Sequence, residues 1–70
     1  MNNKIFTAII HKEDTLYVAE CAEVGTTSQG NSIEDAIINL KEATELYLEE
    51  FPLQETQHPF LTTFEVAVNA

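Results

Sequence analysis

Residues 4–21 read KIFTAIIHKEDTLYVAEC. Two runs rich in β-branched and aromatic side chains, 4–11 and 15–21, flank the polar triplet Lys12-Glu13-Asp14, and this pattern predicts a β-hairpin. If the turn pairs Lys12 with Thr15, then Phe6, Ala8, Ile10, Tyr17, Ala19 and Cys21 share one face. Ile5, Thr7, Ile9, His11, Leu16, Val18 and Glu20 share the other. A register slip of two residues preserves both sets, whereas a slip of one reverses a strand. The first face is wholly apolar, and Ala8 and Ala19 leave room for a helix to approach.

Beyond the hairpin, a third short strand is expected at 26–29, after Gly25 and before Gly30. Ser32 opens a helix, with Asp35 three residues on in a near match to the capping box. Ile33, Ala36, Ile37, Leu40, Ala43, Tyr47, Leu48 and Phe51 recur at spacings of three and four, the apolar stripe of a helix, and Pro52 stops it. A polar loop with Pro59 leads to LTTFEVAV at 61–68, a last strand with Phe64, Val66 and Val68 on one side. The expected order is βββαβ in a single α+β domain spanning 1–70, a two-layer sandwich with one helix on one face of a four-stranded sheet. A right-handed crossover places the last strand beside the first and parallel to it.

One helix covers one face of such a sheet. Ile5, Ile9, Leu16 and Val18 remain on the other, each worth about 1.5–3 kcal/mol if fully buried. An apolar patch that its own chain leaves bare marks an interaction surface, so a symmetric homodimer or higher homo-oligomer is expected.

Charge narrows the choice of other partners. Twelve acids stand against three bases, for a net −9. Lys4 and Lys12 lie in the first twelve residues, which contain no acid; from Glu13 onward only Lys41 opposes the acids. Such a surface repels nucleic acid and steers a basic partner toward it. The outer side of the helix carries Glu34, Asp35, Glu42, Glu45, Glu49 and Glu50. Glu45 and Glu49 repel at four-residue spacing, and Glu49 and Glu50 stand at the helix end that favours cations. Local rules broken without local gain often mark function, although charge runs also serve as plain solvated faces. Ile38 and Leu46 fall outside the core stripe.

Catalytic chemistry finds no foothold. His11 and His58 are far apart in sequence, zinc requires three or four close ligands, and the one thiol, Cys21, is expected on the core face while His11 points to the other. Ser32 is explained as a cap, and there is no Gly-rich phosphate loop. No catalytic, metal or cofactor site is expected. A lone cysteine excludes an internal disulfide and suits a reducing compartment. No apolar run approaches a membrane span, and the opening residues do not make a signal peptide. The expected location is cytoplasmic.

Residues 17–43, YVAECAEVGTTSQGNSIEDAIINLKEA, resemble the HicB family of antitoxins. Members carry a Tyr-x-Ala strand, a short turn, then Ser/Thr-Gln-Gly-Asp/Asn-Ser/Thr before a helix of the form x-Glu-Asp/Glu-Ala-x-x-Asn-x-x-Glu-Ala. Tyr17, Ala19, Gln29, Gly30, Asn31, Ser32, Glu34, Asp35, Ala36, Asn39, Glu42 and Ala43 stand in those places; Ala22 stands where many members have proline. In physical terms Gly30 is expected to permit a turn at positive φ, Ala36 and Ala43 to let the helix lie close to the sheet, and Asn39 to bond to the loop.

The resemblance implies a partial ribonuclease-H-like fold without catalysis, and 4–11 lacks the metal-binding carboxylates of a ribonuclease H first strand. It implies binding to a HicA-like toxin, a small basic ribonuclease that cleaves messenger RNA, with the toxin's active site covered. Glu20, Glu23, Glu42, Glu45 and Glu49 are the candidate partner-facing acids, and Ile5, Ile9, Leu16 and Val18 the candidate self-association residues. Larger members add a DNA-binding domain; the chain ends at Ala70, so no such domain and no direct nucleic-acid contact are expected. The alternative is an orphan interaction or regulatory module on the same scaffold, with no toxin partner.

Overall fold

A computed structural model describes residues 3–52 and 60–69. Strands β1 (Ala8–Glu13), β2 (Leu16–Cys21) and β3 (Thr27–Gly30) precede helix α1 (Ile33–Glu50). The strands form an antiparallel sheet in the order β1-β2-β3, and the fold is α+β.

The hairpin turns through Asp14 and Thr15. Asp14 takes φ +56°, a left-handed conformation that Asp tolerates better than most residues. Lys12 therefore pairs with Tyr17 rather than Thr15, and Ile10 pairs with Ala19. This differs from the expected register by two residues, which keeps every side chain on its expected face.

Ser32 caps α1. Its extended backbone lets the side-chain oxygen accept from the Asp35 N–H at 3.0 Å, satisfying one of the orphan donors of the first turn. At the other end the Phe51 N–H reaches the Tyr47 carbonyl at 2.9 Å, and Pro52 follows with no N–H to continue the ladder.

The helix lies on the face carrying Ala19 and Cys21. These two, with Ala36 and Leu40, form the buried apolar core, and Phe6, Ile10, Tyr17 and Val24 pack around it. Polar ties fix the approach. Ser28 Oγ donates to the Ala36 carbonyl at 2.9 Å, Thr26 and Thr44 share a hydroxyl bond of 2.7 Å, and Asn39 Nδ2 donates to the Gln29 carbonyl at 2.8 Å. Thr44 is buried with its hydroxyl satisfied, as a buried polar group must be. Asn39 thus bonds to β3 itself, at the sheet edge.

Gly30 is needed for a different reason from the expected one. Its φ is not positive; that conformation belongs to Gly25, at +85°. A Cβ at Gly30 would instead fall 2.5 Å from the Ala36 nitrogen, so glycine stands there because the helix backbone rests on it.

The fourth strand is the main departure. Residues 61–68 are described and form no strand. Phe64 is 85 % exposed, Val66 67 % and Val68 82 %. A strand exists by pairing its main chain with a neighbour, and these residues have none in the single chain. The core is correspondingly thin. Ile33, Ile37, Tyr47 and Phe51 of the expected stripe are exposed, as is Ala8. The loop with His58 and Pro59 lies outside the described residues.

Candidate functional site

The helix brings three of the five candidate partner-facing acids together. At about 100° per residue, Glu42, Glu45 and Glu49 fall within roughly 60° of arc on α1. All three are exposed, and Ile38 and Leu46, 62 % and 59 % exposed, fall beside them. Among the described residues the one ion pair is His11 Nε2 to Glu13 Oε2, 3.1 Å apart on the sheet. The three helix carboxylates are thus outside any ion pair among the described residues and lie around a pair of apolar side chains.

Glu20 stands elsewhere. It lies on β2 opposite Ile9 and Thr27, exposed on the face away from the helix. The structure separates it from the helix acids by the full thickness of the two layers.

Glu23 is half-buried and tied to the start of the hairpin. Its Oε1 accepts from the Thr7 N–H and its Oε2 from the Thr7 hydroxyl, each at 2.8 Å, while the Cys21 thiol donates to Oε1 at 3.6 Å. Desolvation pushes this carboxyl up, but the bonds from the Thr7 main chain and side chain, its own N–H and the Cys21 thiol outweigh it and hold the group below its ordinary value. The carboxylate takes the place of a main-chain acceptor at the entry to β1. Local pattern gave no sign of this contact, because it joins residues 16 apart.

The back of the sheet is partly open. Ile9 is 46 % exposed, and Leu16 and Val18 are half-buried. Ile5 precedes β1 and is 95 % exposed, so the structure does not gather it into the patch. His11 and Glu13 border this face on β1, and the pairing of His11 with Val18 places it there.

A cavity of about 450 Å³ opens between the start of β1 and the middle of α1, lined by Phe6, Ala8, Cys21, Ile37, Leu40 and Leu48 among others. Lys4 and Lys41 lie at it with Glu45. Cys21 is free and buried. Among the described residues no three His, Cys, Asp or Glu side chains gather as a metal site, and no helix is long and apolar enough to cross a membrane. Compared with known proteins, the chain matches no family model, no curated protein and no solved structure.

Proposed function

We propose that this chain is a cytoplasmic antitoxin that binds a HicA-like basic ribonuclease and blocks messenger-RNA cleavage by occlusion, without catalysis of its own. The observation that carries the reading is the Glu42, Glu45 and Glu49 stripe, exposed and unpaired among the described residues. A carboxylate row of this kind mimics the charge of the RNA backbone and competes for the same basic surface. Ile38 and Leu46 supply apolar contact area beside it, which gives such an interface its anchoring points. Glu20, across the sheet, and Glu23, tied to Thr7, contribute to the field of the molecule more than to one contact patch.

The same reading includes the complete scaffold. In the proposed form 61–68 pairs beside β1 to make a four-stranded βββαβ sheet of partial ribonuclease-H-like type. Ile9, Leu16 and Val18 on its back are available for homo-oligomerisation, with Ile5 outside that patch. No DNA or membrane contact is required.

Co-expression tests the function. In a bacterium arrested by a HicA-like toxin, preferably one encoded beside this chain, its expression restores growth. Continued arrest with soluble chain present contradicts the proposal.

A further inference from the structure

The cavity lies beside the start of β1. Ala22 N–H donates to the Thr7 carbonyl at 2.9 Å, so the odd-numbered residues of this segment turn their main chain toward β2 and its continuation. By antiparallel alternation the N–H and C=O groups of Ala8 and Ile10 point the other way. β1 is the end strand of its sheet, so those groups form an open edge directly beside the cavity. Ala8 and Ile37, on surfaces that should face a core, are exposed there, and Ile37 is 44 % exposed.

The chain also carries an apolar segment without a site. Phe64, Val66 and Val68 recur at every second position yet are 85 %, 67 % and 82 % exposed, and Phe60 is 91 % exposed. The Cα radius of gyration is 14.3 Å, whereas a compact chain of this length has about 11 Å. The arm stands off the body instead of filling the cavity in its own chain.

We propose that residues 61–69 of one copy add as a strand along the β1 edge of a second copy, with Phe64, Val66 and Val68 seated in the cavity between β1 and α1. The inference rests on the four-stranded scaffold proposed above and assigns the source of its last strand. Three observations select a second copy as the occupant. Arm and cavity occur once in every chain, so reciprocal exchange satisfies both and closes as a two-fold pair. The pair removes the exposed apolar arms and the open β1 edges, each of which invites uncontrolled association. The cavity also bears Lys4 and Lys41, two of the chain's three cations, against Glu45, and the arm's single charge is Glu65.

The test uses the full chain in a Cys21→Ala background. Ile9→Cys on β1 is prepared in one chain and Thr63→Cys, Glu65→Cys or Ala67→Cys in another, and the two are mixed and oxidised. Exchange predicts a disulfide between the different chains for at least one arm position. It also predicts a native mass of twice 7.8 kDa that falls to one chain in Phe64→Asp/Val66→Asp, with the far-ultraviolet spectrum of the hairpin and helix retained. Disulfide formation only inside a chain carrying both cysteines, at monomer mass, overturns the exchange while leaving the four-stranded scaffold intact. A dimer unaffected by Phe64→Asp/Val66→Asp overturns it in favour of the sheet's back. No disulfide in either arrangement at any arm position overturns the exchange and the four-stranded scaffold together.

Discussion

The backbone of Gly30 supports the first turn of α1 so closely that a Cβ there would come within 2.5 Å of the Ala36 nitrogen. Ser28 Oγ donates to the carbonyl of that same Ala36. The two contacts fix where the helix begins over β3, and hence where Glu42, Glu45 and Glu49 emerge. The acidic stripe is positioned by a glycine and a serine that carry no charge.

Gly30→Ala is accordingly expected to destabilise the fold by about 1–3 kcal/mol, the usual cost of overpacking against atoms that cannot yield. Gly25→Asn serves as the contrast, since nothing lies within 4 Å of its Cβ position and Asn tolerates positive φ. Urea denaturation of both variants checks this. An unchanged midpoint for Gly30→Ala would show that the helix does not rest on Gly30.

Glu23 makes stability depend on pH in a defined direction. Its folded-state carboxyl lies below its ordinary value, so its contribution is present above the unfolded glutamate range and is lost as pH falls through the folded value. Glu23→Ala removes the acceptor for the Thr7 N–H and hydroxyl and is expected to cost about 1–2 kcal/mol at neutral pH. The difference between wild type and variant shrinks as pH falls below the ordinary glutamate range. Thermal melts between pH 3 and 7 measure it, and a difference constant over that range would contradict the assignment.

The bond between Thr26 and Thr44 joins residues 18 apart and ties α1 to the segment entering β3. Thr26→Val leaves the buried Thr44 hydroxyl without its partner and Thr44→Val leaves the half-buried Thr26 hydroxyl so, and each is expected to cost about 1 kcal/mol. The double change is expected to cost less than the sum, with a coupling of about 0.5–1 kcal/mol. Strict additivity in a double-mutant cycle would mean that the bond contributes nothing.

How much of this was legible in the sequence follows from how local each feature is. The hairpin faces were readable because side-chain parity survives a two-residue slip, even though the turn itself fell at Asp14 and Thr15. The Ser32 cap lies within three residues of its partner and was equally clear. Glu23 and Thr44 were not, since each is explained by a residue more than a dozen positions away. Gly30 was singled out correctly as a position but for its backbone angle, when the reason is contact with Ala36. In 61–68 the alternation of Phe64, Val66 and Val68 was visible, but alternation specifies a face and does not supply the neighbouring strand. Of the five candidate acids, helical spacing grouped Glu42, Glu45 and Glu49; only folding could separate them from Glu20 and withdraw Glu23.

The helix acids are expected to act mainly on encounter. Glu45→Lys/Glu49→Lys should slow association with the proposed HicA-like partner by about tenfold at low salt and flatten its salt dependence, as for steered partners. Both residues are exposed, so the substitution should leave the melting temperature nearly unchanged. Stopped-flow kinetics at several ionic strengths provide the readout, and unchanged rates would remove this face from the interface.

The most direct measurement is a titration of this chain into a HicA-like ribonuclease cleaving a defined RNA. The account predicts that cleavage falls in proportion to added chain and ends near equimolar amounts, as expected of occlusion by a tight complex. Undiminished cleavage at a large molar excess of folded protein would contradict it.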